Sequence, residues 1–297
     1  MQQLPFHTVT IYGPGLLGGS VALAIRDRMP DCELRLWARR EQPLQLARTL
    51  GIKHTYTDAR EAAQGAELII FATPIGAFEE LARLILPAIS KTALVTDVGS
   101  VKAYVHRTTG ALLTERGRRF IGSHPMAGAE TQGLENATPT LLQGATVALT
   151  NPHGVPAEEE ERLAQFWQIL GGRTYSMQPA HHDRAVARIS HMPHIMAGMA
   201  ARNAMPGDVP LHDLQRLAAS GFRDTTRVCA GAAGMWADIL WENDVAIREV
   251  LTNCVNDLHR LIFLLEDQDK AGVLRWLTGA RETRETILNT SEDEAND

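Results

Sequence analysis

Cysteine is scarce in this chain of 297 residues, and its few copies form no pattern. Cys32, Cys229 and Cys254 lie far apart and are odd in number. This spacing excludes a disulfide framework and a cysteine-based metal centre. So little cysteine is typical of a protein kept in a reducing compartment, and we expect the chain to be cytoplasmic.

The sequence also lacks a long apolar run and an excess of basic charge. No apolar segment approaches the roughly 20 residues of a membrane span. The first strand-like run begins at Thr8, so we expect no signal peptide. The net charge is −6, which argues against nucleic acid as a partner. What remains is an ordinary globular composition, 44% hydrophobic and 22% charged, in a chain long enough for two domains.

Glycine is concentrated where the first hydrophobic run ends, in the segment GPGLLGGS that starts at Gly13. Thr8–Tyr12 predicts a buried strand and Leu16–Ile25 a helix, so the glycines occupy a strand–turn–helix unit. In this context G-x-G-x-x-G indicates a dinucleotide-binding site. The alternative is a glycine-rich turn that binds nothing.

Each glycine of this turn has a separate predicted task. Gly13 permits the tight turn, Gly15 lets a pyrophosphate approach the backbone, and Gly18 lets the helix pack against the strand. The free N–H groups at the helix start, where Leu16 and Leu17 lie, would then hold the pyrophosphate.

The first 178 residues alternate predicted strands and helices, which is typical of a parallel, doubly wound α/β sheet. The predicted strands are Thr8–Tyr12, Glu33–Trp37, Ala66–Ala72, Ala93–Asp97, Arg119–Gly122, Ala145–Leu149 and, at an edge, Arg173–Met177. The predicted helices among them are Leu16–Ile25, Pro43–Leu50, Phe78–Leu86 and Pro156–Leu170.

From Pro179 onward the strand-like runs stop and the pattern becomes helical. The predicted helices are His181–Arg202, Leu211–Ala219, Gly234–Leu240, Asn243–Glu266 and Asp269–Leu288, followed by an acidic tail, 291–297, predicted to be disordered. We therefore expect a Rossmann-like domain over residues 1–178 and an all-α domain over 179–297. Apolar residues in these helices, such as Ile239, Leu240, Leu251, Leu261, Ile262 and Leu265, exceed what one sheet covers, which predicts a homodimer built through the C-terminal helices.

The acid that usually selects NAD over NADP is missing. It is expected at the end of the second strand, where the chain instead reads Ala38-Arg39-Arg40. An arginine binds a 2′-phosphate through charge-assisted hydrogen bonds, whereas an acid repels it. We therefore expect NADP, with NAD possible if the two arginines form only a solvated turn.

Two polar segments follow predicted strands at the sheet edge where ligands bind in open α/β folds. Thr73-Pro74 follows the third strand, and Asp97 to Lys102 follows the fourth. The second segment should place the Ser100 hydroxyl and the Lys102 ammonium at this edge. His124 follows the fifth strand and precedes a proline. A histidine on such a rigid turn can accept a proton near neutral pH, although one bonded only to backbone would look the same.

Ser190, His191 and His194 are spaced to share one helix face, and Pro193 should interrupt that helix. A broken, polar helix is typical of a binding site. The two histidines have no third ligand at metal-binding spacing, so we expect no metal.

The segment GFRDTTR contains a cation, Arg227, that the pattern places near the start of a helix. A positive charge there opposes the helix dipole, so we expect another partner for it. A substrate carboxylate and a nearby protein acid are both candidates.

In this order, GPGLLGGS, DVGSVK, GSHPMAG, HDRAVARISHMPH and GFRDTTR resemble the prephenate and arogenate dehydrogenases of tyrosine biosynthesis. The resemblance extends from Thr8 to about Leu264 and is to the short form, without a chorismate mutase or an ACT domain. It implies oxidative decarboxylation of prephenate to 4-hydroxyphenylpyruvate, with hydride transfer to NAD(P)+. Arogenate, which has an amine in place of the side-chain keto group, is the alternative substrate.

The resemblance also implies roles for individual residues. His124 would hold the C4 hydroxyl of the substrate and take its proton, Ser100 would support that contact, and Arg227 would bind a carboxylate. Ser190, His191 and His194 would line the substrate pocket. Ala38 departs from the family, where many members carry Asp. More distant alternatives are a β-hydroxyacid or imine reductase and a nucleotide-sensing module without catalysis.

Overall fold

The computed structural model describes residues 4–128, 131–205 and 207–289. Packing divides the chain into two compact units, one ending at Ala246 and the other beginning at Ile247. The predicted domain boundary between residues 178 and 179 stays a prediction. The acidic tail predicted to be disordered lies outside the described residues.

The N-terminal part contains a six-stranded sheet in the order β3-β2-β1-β4-β5-β6. The strands are β1 Thr8–Tyr12, β2 Glu33–Trp37, β3 His54–Tyr56, β4 Leu68–Phe71, β5 Leu94–Asp97 and β6 Arg119–Phe120. All neighbours pair in parallel. This confirms the predicted doubly wound sheet. The strand order reverses between β1 and β4, and a crevice at such a point is where these folds bind ligands.

Helices cover both faces of this sheet. They are α1 Leu16–Arg28, α2 Glu41–Thr49, α3 Ala59–Ala63, α4 Phe78–Ile85, α5 Ala103–Val105 and α6 Ala111–Glu115, with a π-helical turn, His106–Gly110, between the last two and 3-10 turns at Ile75–Ala77 and Leu86–Ala88. Successive strand residues face opposite sides. In β4, Leu68 and Ile70 join one apolar cluster, whereas Ile69 and Phe71 join the other. Burial on both faces explains why such strands read as continuous apolar runs.

A second, three-stranded sheet corrects the prediction for Arg119–Gly122. The chain leaves the first sheet after β6, and Gly122 begins β7, so one predicted strand is two strands of different sheets. The second sheet consists of β7 Gly122–Pro125, β8 Thr146–Thr150 and β9 Arg173–Ser176, with α7 Ala157–Ile169 beside it and a 3-10 turn at Leu134–Asn136 before β8. β7 is antiparallel to β8, and β8 is parallel to β9.

Among the described residues, every regular element after β9 is helical, as predicted. The helices are α8 Pro179–Val186, α9 Met192–Asn203, α10 Leu211–Leu217, α11 Ser220–Thr226, α12 Ala233–Glu242, α13 Asp244–Glu266 and α14 Lys270–Leu288, with a 3-10 turn at Arg227–Ala230. A π-helical turn, Ala187–His191, joins α8 to α9 just before Pro193. The predicted interruption therefore takes the form of a widened turn, next to a proline that cannot donate to the carbonyl of Ile189.

The unit that begins at Ile247 contains most of α13 and all of α14. The Asp269 carboxylate accepts a hydrogen bond from Gly272 N and so caps α14. The Trp276 indole donates to Asp257 across the two helices. No helix in the described part of the chain is long and apolar enough to span a membrane.

Candidate active site

The glycine turn between β1 and α1 is shaped by close backbone contacts. Gly13 has a φ of +112°, and a Cβ there would lie 2.7 Å from the carbonyl carbon of Ala72. A Cβ on Gly18 would overlap the Gly13 carbonyl oxygen. A Cβ on Gly15 would meet nothing within 4 Å. Gly13 and Gly18 therefore serve the protein's own packing, whereas Gly15 faces open space.

The start of α1 fits a nucleotide phosphate. No side chain caps this helix end, and its first turn carries no acid. The N–H groups at Leu16 and Leu17 are therefore left for a ligand. The hydroxyl of Thr73, at the carboxyl end of β4, is buried and has no hydrogen-bond partner among the described residues. An unpartnered buried hydroxyl beside the crevice suits a bound cofactor, and Pro74 follows it at the entrance to the 3-10 turn.

The end of β2 presents a basic surface. Ala38 is buried, and Arg39 and Arg40 are exposed. The Trp37 indole donates to the Thr57 carbonyl oxygen at 2.9 Å, which ties the end of β2 to the loop before α3. Two exposed cations thus follow an anchored strand end.

A buried ion pair lies where β5 ends, and it corrects the expectation of an ammonium group available at this edge. Asp97 and Lys102 are both fully buried and paired with each other. The Asp97 carboxylate also accepts from Gly99 N at 2.8 Å and Ser123 N at 3.1 Å, while Lys102 Nζ donates to Ser123 O at 2.7 Å. Burial raises the pKa of Asp97 and lowers the pKa of Lys102, and their mutual attraction acts against both shifts. The pair fixes the backbone immediately before His124. Ser100, between the partners, is half-buried.

His124 belongs to a chain of hydrogen bonds that joins three elements. Its Nδ1 lies 2.8 Å from His182 Nε2, and His182 Nδ1 lies 2.8 Å from an Asp183 carboxylate oxygen. The same carboxylate accepts from the N–H groups of Lys102 and Ala103, both at 2.8 Å. The sequence alone assigned no role to His182 or Asp183.

The surroundings of His124 keep it neutral. Only 7% of the residue is exposed. Burial first, and then repulsion from His182, Lys102 and His191, lowers the pKa of His124 well below 6.5. At neutral pH its imidazole is therefore uncharged and can accept a proton.

The three residues predicted to share one helix face differ in burial. Ser190 and His194 are half-buried, and the His194 ring stacks on Trp236 with centroids 3.5 Å apart. His191 is only 1% exposed, so it is more deeply buried than the other two. Its Nδ1 lies 3.2 Å from the Asn243 amide, which donates to the Asp183 carbonyl oxygen. Burial lowers the pKa of His191 to about 4.

The structure places Arg227 differently from the sequence prediction. It follows the last turn of α11, whose start is at Ser220, and begins the 3-10 turn Arg227–Ala230 against α9. A cation at a helix C-terminus suits the dipole, so the dipole no longer gives a reason to expect a further partner for Arg227. Arg227 is exposed, as is Arg223 one turn earlier.

A nucleotide-binding parallel sheet joined to a buried, neutral histidine defines the class as a dinucleotide-dependent oxidoreductase. The chain belongs to the prephenate dehydrogenase family. The model of the family's nucleotide-binding domain matches residues 21–176, and the model of its dimerization domain matches residues 178–279. The resemblance inferred from the motifs is thereby confirmed.

Relatives match along nearly the whole chain. The cyclohexadienyl dehydrogenase of Zymomonas mobilis is 32% identical over 97% of this chain and 98% of its own. The crystal structure of prephenate dehydrogenase from A. aeolicus, in complex with hydroxyphenyl propionate and NAD+, has a TM-score of 0.84 and is 27% identical, covering 95% of this chain and 98% of that one. Arogenate dehydrogenase from Synechocystis has a TM-score of 0.80 and is 30% identical, covering 95% and 100%.

Proposed function

We propose that this protein catalyses the oxidative decarboxylation of prephenate to 4-hydroxyphenylpyruvate, with NADP+ as the preferred cofactor. The observation that carries the proposal is His124, a neutral imidazole held by two other elements next to the nucleotide-binding end. Family membership supplies the reaction class, and the buried histidine supplies the base that this reaction needs.

The chemistry combines a proton transfer, a hydride transfer and loss of CO2. His124 accepts the C4 hydroxyl proton, so that the C4–O bond gains double-bond character. A bound nicotinamide supplies the acceptor for the hydride that leaves C4. The bond from the ring to its carboxylate then breaks, and its electron pair enters the ring as CO2 departs. The ring becomes a phenolate, and the proton held on His124 returns to that oxygen, so the protons balance.

Other residues would bind and orient the substrate. By resemblance, Ser100 supports the contact between His124 and the hydroxyl, and Arg227 binds a carboxylate. By the same resemblance, Ser190, His191 and His194 line the pocket, and Asn243 holds His191 in place.

The cofactor would be held by the glycine turn and the basic end of β2. Gly13, Gly15 and Gly18 shape the turn, and Leu16 and Leu17 offer backbone N–H groups. Ala38, Arg39 and Arg40 would surround a 2′-phosphate, while Thr73 and Pro74 would face the remainder of the dinucleotide. The absence of a carboxylate at Ala38 is what favours NADP+ over NAD+.

Arogenate is the second candidate substrate. The chain is 30% identical to an arogenate dehydrogenase, and NADP preference would suit that activity. We also propose that the protein acts as a homodimer in the cytoplasm.

A matrix of prephenate and arogenate against NADP+ and NAD+, followed by absorbance of the reduced cofactor, tests these proposals. We expect the highest kcat/KM with prephenate and NADP+. A higher value with arogenate would select the second candidate. Cofactor binding with no turnover of either substrate would favour a nucleotide sensor and reject the enzyme proposal.

A further inference from the structure

We propose that His182 and Asp183 are positioning residues that set the tautomer of His124, so that His124 Nε2 is the atom that accepts the substrate proton. The inference rests on the proposed role of His124 as the base. It concerns which nitrogen of His124 carries the hydrogen, and this choice is set by neither the fold nor the nucleotide site.

The direction of each hydrogen bond in the series from Asp183 to His124 follows from the backbone N–H groups that donate to Asp183. The Asp183 carboxylate accepts from the N–H groups of Lys102 and Ala103, which can only donate. A carboxylate held in this way is an acceptor. Its contact with His182 Nδ1 therefore requires a hydrogen on that nitrogen.

The remaining step fixes the hydrogen of His124. A neutral imidazole carries one N–H, so His182 Nε2 is left as an acceptor. His124 Nδ1, 2.8 Å away, must then donate to it. His124 Nε2 therefore has a free lone pair, and the described residues offer no hydrogen bond to it. A protonated His182 would reverse the last bond and place the hydrogen on His124 Nε2, which is the inactive arrangement.

Burial and anchoring make this arrangement persistent. His182 is 1% exposed and Asp183 is 5% exposed, so water does not compete for their hydrogen bonds. The Asp183 carbonyl oxygen accepts from Asn243 at 2.9 Å, which fixes the other side of the residue. When His124 takes a proton on Nε2, its Nδ1 hydrogen stays bonded to His182 Nε2, so the orientation of the ring is kept through the reaction.

Replacement of His182 separates this role from a structural one. We expect His182→Leu to lower kcat by about 10²–10⁴-fold, the usual contribution of general base catalysis, and to change the substrate KM by less than about threefold. His182→Gln should recover at least about tenfold of the loss, because an amide can donate to Asp183 and accept from His124 as neutral histidine does. His181→Leu, at the exposed neighbouring histidine, is the matched control and should behave as wild type.

Histidine 15N chemical shifts give a readout that does not depend on activity. In the wild-type enzyme near neutral pH we expect His124 Nδ1 to carry hydrogen and Nε2 to be unprotonated, with the signal assigned by its loss in His124→Asn. His182→Leu should shift His124 toward a mixture of tautomers. This spectrum decides the inference even if a variant fails to fold.

The possible failures are distinguishable. A wild-type His124 with its hydrogen on Nε2 would overturn the inference, and so would His182→Leu with wild-type kcat while His124→Asn is inactive. A His124→Asn enzyme with normal turnover would instead reject the proposed role of His124, and the 15N spectrum would still report the tautomer.

Discussion

At the scale of single residues, burial sets the charge of His124 and thereby the pH range of the enzyme. A lowered pKa keeps the folded enzyme's imidazole unprotonated through neutral pH and into mildly acidic solution. The groups that face it are His182, Lys102 and His191, and each disfavours a positive charge on the ring.

We predict that wild-type kcat falls only at a pH below 6.5, as His124 becomes protonated and can no longer accept the hydroxyl proton. His124→Asn should lower kcat by about 10²–10⁴-fold and remove this acidic limb, without weakening cofactor binding. A pH–rate profile and a cofactor titration check both points. A variant that retains an unchanged acidic limb would assign the limb to another group.

Arg39→Ala should discriminate between the two cofactors. A charge-assisted contact with a 2′-phosphate contributes about 1.5–3 kcal/mol, or roughly tenfold to a hundredfold in affinity. We expect KM for NADP+ to rise by that factor, with KM for NAD+ nearly unchanged. Arg48→Ala is the control. Arg48 is an exposed arginine of α2 that pairs with Glu41, and its loss should leave the KM values for NADP+ and NAD+ unchanged. Equal effects of Arg39→Ala on both cofactors would reject the assignment.

Arg227→Ala should weaken substrate binding. Loss of one partner of a charge pair that is desolvated in the complex costs about 2–5 kcal/mol, equivalent to roughly thirtyfold to several thousandfold. The substrate KM should carry the loss more than kcat, because the carboxylate contact exists before and during hydride transfer. Arg227→Lys should rescue poorly, since an ammonium cannot reproduce the planar fork of a guanidinium.

Arg223→Ala provides the matched control for Arg227, because the two arginines lie one turn apart and are both exposed. It should leave the substrate KM unchanged. If it raises KM and Arg227→Ala does not, the carboxylate site belongs to Arg223.

At the scale of elements, the glycine turn offers two alanine substitutions with opposite outcomes. A Cβ on Gly18 overlaps the Gly13 carbonyl oxygen, so Gly18→Ala should lower the free energy of unfolding by about 1–3 kcal/mol or more. A Cβ on Gly15 meets no protein atom within 4 Å, so Gly15→Ala should fold normally and bind the dinucleotide more weakly. Thermal unfolding without ligand and a cofactor titration separate the two effects. Normal affinity in Gly15→Ala would place the pyrophosphate elsewhere.

Strong apolar periodicity was enough to predict most elements. β1 and β2 begin and end where the sequence predicted, because β1 is a buried run that ends at a glycine and β2 alternates half-buried and buried residues. β3 and α3 were missed, since a three-residue edge strand and a five-residue helix carry little pattern. A signal was present for α3: Asp58 accepts from the N–H groups of Arg60 and Glu61, and an Asp followed three residues later by Glu marks a helix start.

The sequence was enough to select His124 as a site residue, but it did not reveal which residues it contacts. His124 could be selected from its place between a predicted strand and a proline, although the structure corrects that place, since His124 and Pro125 both belong to β7. The contact with His182 spans 58 residues and joins a strand to a helix, so no local spacing reveals it. The same applies to Lys102, whose burial depends on Asp97 and the backbone of Ser123 rather than on its own neighbours.

At the scale of the whole molecule, exposed apolar side chains on the last helices support the predicted homodimer. Leu265 is 60% exposed and Ile262 is 49% exposed. Ile239, predicted to belong to the same uncovered set, is only 3% exposed because it joins the apolar cluster on one face of the parallel sheet. The uncovered apolar surface therefore includes α13, and Ile239 is not part of it.

Light scattering at micromolar concentration should give twice the chain mass of 32.6 kDa. Obligate interfaces commonly bury more than about 2,000 Å² and do not tolerate a buried charge at their centre. Leu265→Glu should therefore shift the protein toward a monomer, whereas Glu266→Gln beside it should not. A stable wild-type monomer would refute the prediction.

The Asp183 carboxylate limits how members of this family can be recombined. A crossover between residues 178 and 179 would look natural, since it separates the strands from the long helices. It would also cut the hydrogen-bond chain in two, with His124, Lys102 and Ala103 from one parent and His182 and Asp183 from the other. Chimeras that keep α8 with the N-terminal parent preserve the registry of these contacts. In chimeras joined after β9, the orientation of His124 depends on whether α8 of one parent fits against the N-terminal part of the other.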